Sequence, residues 1–261
     1  MNMEDLHKTI EEEKIFWNSI FENKLREIKE EKGNFSSFWD KDYYKKITDF
    51  VGYLFNKYGY VNLLEAGSGS GRSSILLRGD MDRTLLDMSP AALKYARHIA
   101  QKFNVENVKF VRGNIFEMPF QREVFDFVWN TGVIEHYKLT DIKVILKEMI
   151  RVTKSNGMIA FGVPNFFSGP TIKAWVMKFF PKTTPAYRLG TEHFYKNKIL
   201  VDLVINASKD EGGNIEWIKV KYFGNPLPLE TPIWVFKTIG RIVDVLLPKN
   251  RFMIMFFCKF K

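Results

Sequence analysis

At 261 residues and 46% apolar content, the chain can fill one full-sized α/β core and a modest elaboration. A single cysteine, Cys258, rules out an internal disulfide or a thiolate metal cluster, and the charged start (Glu4, Asp5, Lys8, Glu11, Glu12, Glu13, Lys14) argues against a signal peptide or spanning helix, so the expected location is the cytoplasm. The net charge of +9 is uneven, with 19 basic and 21 acidic residues in 1–136 against 20 and 9 in 137–261; the second half is either a lysine-rich solvated surface or faces a membrane, a nucleic acid or an acidic substrate.

Leu6, Ile10, Trp17, Ile20, Phe21, Leu25 and Ile28 recur near a helical period, which predicts an amphipathic helix over about residues 4–31, ended by Gly33 and Asn34. A second helix is predicted over 42–58, with Tyr43, Ile47, Phe50, Val51, Leu54 and Phe55 facing inward.

The stretch V-N-L-L-E-A-G-S-G-S-G-R-S (61–73) then reads as a short strand, a tight turn and a helix opening. Glycines at 67, 69 and 71 free the backbone to turn and remove the Cβ atoms that would hold a ligand off the main chain. The dinucleotide pattern G-x-G-x-x-G is not met, because Arg72 stands where it requires its third glycine. A second strand, R-T-L-L-D (83–87), ends on Asp87, twenty residues past Gly67. At that separation a Rossmann-type unit sets a carboxylate against two ribose hydroxyls. Ser89 and Pro90 cap and open a helix over 91–103.

Further strands are predicted at 108–111, 125–129 and 158–163, with a helix at 141–152 and a turn at Asn156 and Gly157 before the last of them. Residues 164–190 break the rhythm with four prolines and six aromatics, and no Asp or Glu occurs between Ser155 and Thr191. Ile172, Trp175, Val176, Phe179 and Phe180 form one apolar face, with Lys173 and Lys178 away from it: an interfacial anchor, a substrate lid or a core-packed insertion. Residues 215–222 and 251–260 read as a closing antiparallel pair of strands, and 232–247 between them as an apolar helix whose charges and length argue against a membrane span.

Several of these stretches, in order, resemble the motifs of the S-adenosylmethionine-dependent methyltransferases with a Rossmann-like fold. E-A-G-S-G-S-G resembles the first motif, whose loop wraps the amino acid end of the cofactor. L-D-M-S-P-A-A-L resembles the second, with Met88 against adenine. R-G-N-I-F-E-M-P-F resembles the third, except that Asn114 replaces the usual Asp. An amide oxygen there still accepts a hydrogen bond, without charge assistance. F-D-F-V-W-N-T-G-V-I-E-H-Y resembles the fourth, with Asp126 at the strand start, Asn130 near the sulfonium or methionine carboxylate, and an E-H pair seen in small-molecule members such as the quinone-biosynthesis methyltransferases. R-V-T-K-S-N-G stands for R-V-L-K-P-G-G, and T-E-H-F-Y for the phrase that closes over the acceptor, which makes His193 and Tyr195 acceptor-side candidates.

The resemblance implies a doubly wound, mainly parallel seven-stranded α/β sheet: a helical extension (1–58), a cofactor core (59–163), and a basic, aromatic cap with the closing strands (164–261). It implies S-adenosyl-L-methionine held by Glu65, Gly67, Ser68, Gly69, Gly71, Asp87, Met88, Asn114, Ile115 and Asn130, with Tyr43 or Tyr44 over the cleft and no resident metal. Glu135, His136 and His193 are the catalytic candidates, and a histidine suits a general base. The expected acceptor is small or lipid-like, with peripheral membrane contact through 164–190. An RNA methyltransferase and a non-catalytic cofactor-binding protein are the alternatives.

Overall fold

The apolar run before the glycine turn becomes the middle of the sheet. The computed structural model describes residues 3–29, 38–177, 179–180, 192–228 and 230–261. In it β1 (Asn62–Ala66) runs parallel to β2 (Asp82–Asp87), and β3 (Val108–Arg112) continues that arm outward. On the other side of β1 lie β4 (Phe125–Thr131) and then β5 (Thr153–Pro164), both parallel. Leu63, Leu64 and Ala66 are buried, as a strand covered on both faces requires. β6 (Ile215–Phe223) and β7 (Met253–Phe260) close the far edge antiparallel, giving the order β3-β2-β1-β4-β5-β7-β6. This is the expected doubly wound, seven-stranded architecture.

Helices cover both faces. On one, α2 (Phe38–Tyr58) lays Tyr43, Ile47, Val51, Leu54 and Phe55 against Leu63, Phe127, Met158 and Phe257. On the other, α5 (Leu139–Val152) and α7 (Asn197–Asp210) pack Ile142, Ile145, Leu146, Leu200 and Val204 over Leu64, Val128, Ile159 and Phe256. Neighbouring residues of one strand thus serve opposite cores, the period-2 consequence of the pleat. The short α3 (Arg72–Ile75) follows the glycine turn, and α4 (Pro90–Lys102) follows β2. The first helix, α1 (Met3–Lys29), lies along α4, with Phe21 on Ala91 and Ala92. Asn18 completes this junction, its Oδ1 accepting from Ser89 Oγ at 2.9 Å and Ala91 N at 3.2 Å at the start of α4.

Two expectations need revision. The apolar stretch 232–247 is not one helix but α8 (Ile233–Lys237) and α9 (Ile239–Leu246), because Thr238 leaves helical backbone (φ −104°, ψ −84°) and its hydroxyl donates to Trp234 O at 2.7 Å. The turn at Asn156 and Gly157 is absorbed into β5 as a bulge, since Phe125 pairs with Thr153 and Phe127 with Met158. As expected, helical structure connects the closing strands, here α8 and α9. The helix end at Gly33 and Asn34, Lys178, and Pro181 and Pro185 lie outside the described residues. The inserted segment contributes α6 (Gly169–Met177), after β5.

The turn into α3 depends on Gly71, which has φ +61° and whose missing Cβ would collide with Leu85 Cδ1. Gly71→Ala is expected to cost roughly 1–2 kcal/mol for left-handed backbone and about 1–3 kcal/mol for overpacking. Thermal denaturation should show Tm lowered by several degrees; an unchanged Tm would contradict this account of the turn.

Candidate active site

The site is built where the carboxyl ends of β1, β2 and β4 meet. Gly67, Gly69 and Gly71 all have positive φ, and the loop they form folds back on the end of β2: Gly67 N and Ser68 N donate to Leu86 O at 2.8 and 2.9 Å. Asp87 then ties three pieces together. Its Oδ2 accepts from Gly69 N and its Oδ1 from Ser89 N, each at 2.8 Å, joining the glycine loop, the end of β2 and the N-terminus of α4. Burial raises its carboxyl above the ordinary value, against the opposing pull of backbone N–H groups of Ser89, Gly69 and Met88.

Above this loop is a cleft lined on its polar side by Glu65, Ser68, Arg72 and Asp87, and on its apolar side by Met88, Ile115 and Val133. Trp17 and Phe21 of α1 roof it, and Tyr44 of α2 closes one end, with the Arg72 guanidinium 4.8 Å from the Tyr44 ring centre. Glu65 Oε2, Ser68 Oγ and Arg72 Nε are buried without a hydrogen-bond partner. Buried polar atoms are ordinarily satisfied, so three such atoms in one cleft mark a place built for a polar ligand. Burial pushes the Glu65 carboxyl up to about 7, despite hydrogen bonding from Ser74.

Beyond the cleft, Thr131, Gly132 and Val133 lead into a 3₁₀ turn, Ile134–His136. His136 lines the cleft and meets Trp17 edge-on, ring centres 5.4 Å apart. Burial lowers its pKa below the ordinary imidazole value, outweighing the upward pull of Glu192 and Glu13. Glu135 lies under Gly132, fully buried, with Oε2 unpartnered; burial pushes its carboxyl up to about 8, with Glu192 adding to the rise. The segment after the inserted cap is stitched to this turn, His193 N donating to Glu135 O at 2.7 Å and the Tyr195 hydroxyl to Tyr137 O at 3.0 Å. A second cavity of about 670 Å³ opens there, walled by Phe166, Phe194, Tyr195 and Tyr222, with Lys196 and Lys249 among its lining residues.

Residues 59–215 match the family model of a methyltransferase domain. The chain belongs to this methyltransferase family. The fold agrees: a SAM-dependent methyltransferase of Thermotoga maritima, described as a possible histamine N-methyltransferase, superposes with TM-score 0.60 over 94% of this chain and all of that one, at 18% identity. Among curated relatives, the demethylmenaquinone methyltransferase of Listeria welshimeri is 31% identical over 103 residues, 38% of this chain and 43% of the relative. A probable phthiotriol/phenolphthiotriol dimycocerosates methyltransferase of Mycobacterium ulcerans is 32% identical over 102 residues, 38% of each. The chain thus spans less than half the length of these curated relatives.

In this methyltransferase, seven of the ten residues expected to hold the cofactor line the cleft: Glu65, Gly67, Ser68, Gly69, Asp87, Met88 and Ile115. Gly71 sets the helix start beside it. Two do not reach it. Asn130 is fully buried on the α5 side of β4, its Nδ2 3.4 Å from Met149 Sδ, because alternation along the strand turns it away. Asn114 turns its Oδ1 onto Phe116 N at 3.0 Å, stabilising the loop instead. Of the catalytic candidates, His136 faces the cleft, Glu135 sits beneath it, and His193 lines the second cavity. Tyr44 rather than Tyr43 lines the cleft; Tyr43 is core. Glu13, Trp17, Phe21 and Arg72 were not anticipated, since on a helix their spacing reads only as an amphipathic stripe, and Arg72 read only as a mismatch to another motif.

The raised carboxyl of Glu135 makes a stability prediction. The folded state holds a proton that the unfolded chain releases near the ordinary glutamate value, so this group's contribution is full below that value and declines as pH rises toward 8. Glu135→Gln, a neutral isostere, should therefore gain stability relative to the parent between pH 5 and 9, by a few kcal/mol at the alkaline end. Denaturant unfolding across that range measures it; a constant difference at all pH values would show that Glu135 does not carry the proton.

Proposed function

We propose that this methyltransferase transfers a methyl group from S-adenosylmethionine to an oxygen, nitrogen or carbon atom of a lipid-like small molecule. The supporting observation is the set of unpartnered buried atoms on Glu65, Ser68 and Arg72 in the one cleft that Asp87 closes. S-adenosylmethionine offers two ribose hydroxyls, an ammonium, a carboxylate and an adenine, and the cleft has a counterpart for each. Asp87 keeps acceptor capacity on both oxygens for the hydroxyls, since each carries one backbone N–H bond and a carboxylate has about four lone-pair sites. Arg72 and Glu65 are opposite charges suited to the carboxylate and the ammonium. Met88 and Ile115 provide apolar contact for the adenine.

The cofactor supplies a methyl group on a positively charged sulfur that leaves as a neutral thioether. The protein's task is alignment and exclusion of water. Trp17, Phe21 and Val133 provide the dry walls. His136, held neutral by burial, takes the acceptor proton, and Glu135, protonated near neutral pH, orients the turn that carries it. The acceptor lies in the cavity of Phe166, Phe194 and Tyr195, tied to the catalytic turn through His193. Its aromatic walls suit an apolar molecule, and the names of the two curated relatives, demethylmenaquinone and phthiotriol dimycocerosates methyltransferases, point the same way.

Asp87→Ala should weaken S-adenosylmethionine binding roughly 10- to 100-fold, the loss expected for charge-assisted hydrogen bonds; calorimetry giving the parent affinity would remove the ribose assignment. Incubation with methyl-labelled donor and fractionated cell extract should place label in the lipid fraction. With the acceptor so isolated, the parent's kcat/KM should rise through an acid limb below the ordinary imidazole pKa. His136→Ala should abolish that limb and lower kcat by about 10²–10⁴. A variant that keeps both rate and limb would dismiss His136 as base.

A further inference from the structure

Exposed apolar side chains are concentrated on one part of this molecule. Of the 23 large hydrophobic residues exposed among the described residues, 16 fall in three short stretches, 166–180, 194–199 and 233–247. In α6 and the turn after it these include Trp175 and Phe179, the latter 66% exposed; in α8 and α9 they include Trp234, Val245 and Leu246 at 69%, 76% and 71%. The face foreseen on Ile172, Trp175, Val176, Phe179 and Phe180 is therefore turned to solvent, not to the core.

The two elements adjoin. Gly169 N donates to Pro226 O at 2.7 Å, Lys173 Nζ pairs with Glu230 Oε2 at 2.6 Å, and Asn250 Nδ2 donates to Phe167 O at 2.9 Å. These contacts seat α6 against the two ends of the α8–α9 excursion. A folded monomer rarely leaves so much contiguous apolar surface in water unless something covers it.

Charge indicates what covers it. Lys237, Arg241 and Lys249 are exposed along the α8–α9 excursion. Of its two acids, Glu230 is paired with Lys173 of α6 at 2.6 Å, and Asp244 is turned inward, bonded to Arg251 at 2.7 Å and Lys46 at 3.1 Å, so the outward side of α8 and α9 presents cations among apolar groups. No Asp or Glu occurs from 156 to 191. α8 and α9 have 5 and 8 residues, and no helix among the described residues is long and apolar enough to cross a membrane. Bulky apolar and indole side chains interleaved with Lys and Arg on short helices suit the interface of an anionic bilayer.

We propose that α6 together with α8 and α9 forms a docking face for an anionic lipid bilayer. Phe166, Phe167 and Lys249 belong both to this face and to the lining of the acceptor cavity, so the docked protein would open that cavity toward the lipid. This delivery role rests on the lipid-like acceptor proposed above; the docking itself does not.

Sedimentation with sucrose-loaded vesicles tests it. The full chain should bind vesicles of phosphatidylcholine with 30% phosphatidylglycerol about tenfold or more tightly than phosphatidylcholine alone, from roughly 1 kcal/mol for each cation near the surface. A double variant Trp234→Glu with Leu246→Glu, and separately Lys237→Glu with Arg241→Glu, should each lose most of that binding while retaining parent S-adenosylmethionine affinity by calorimetry. Three results would overturn the proposal: no vesicle binding by the parent, equal binding to both vesicle types, or a parent dimer that the Trp234/Leu246 variant converts to monomer, which would assign the face to a second copy. Methyl label reaching only water-soluble acceptors while vesicle binding persists would sink the lipid-acceptor reading and leave the docking intact.

Discussion

The carboxylate of Asp87 is the constraint on which the site depends. Its two oxygens accept from Gly69 N and Ser89 N, so one side chain fixes the glycine loop, ends β2 and caps the entry to α4. The buried guanidinium of Arg83 holds α3 and the segment after it, bonding Ser74 O, Met81 O, Leu77 O and Gly79 O. A loop rich in glycine is intrinsically mobile. Asp87 and the bonds of Gly67 N and Ser68 N to Leu86 O hold it as a preformed surface, which is what a binding cleft needs if ordering is not to weaken affinity.

Around that surface the chain divides its labour by polarity. One side of the cleft carries Glu65 and Arg72, each with one buried atom left without a hydrogen bond, under an aromatic roof from α1. The side toward the second cavity carries a buried carboxyl, Glu135, and an imidazole, His136, whose pKa values burial moves in opposite directions, the acid up and the base down. Both shifts favour the neutral form, as removal from water does for any ionisable group. The segment 193–195 is hydrogen-bonded to Glu135 and Tyr137 and also walls the second cavity, so the cleft and that cavity share one structural joint.

The charge asymmetry noted in the composition gains a location in the folded protein. Basic residues of the second half that flank α8 and α9 stand beside an apolar surface, while the acid among them is neutralised internally. The exposed apolar face of α6 adjoins the α8–α9 excursion through Gly169, Lys173 and Phe167.

The sequence by itself determined the mainly parallel sheet with its antiparallel closing pair, and seven of the residues that line the cleft. Period-2 and continuous apolar runs have few ways to pack, and the spacing from Gly67 to Asp87 is set by one strand–helix–strand unit. It also identified the E-H pair and the apolar stripe of α6. Only the tertiary structure decided which way side chains point. Alternation along β4 took Asn130 out of the site, and a local turn took Asn114 away. The cleft's roof, Trp17 and Phe21, comes from a helix distant in sequence, so no local pattern distinguishes a lid residue from a core residue. The same holds for α6, α8 and α9: an amphipathic stripe looks identical whether it faces protein or solvent, and only the completed packing shows which.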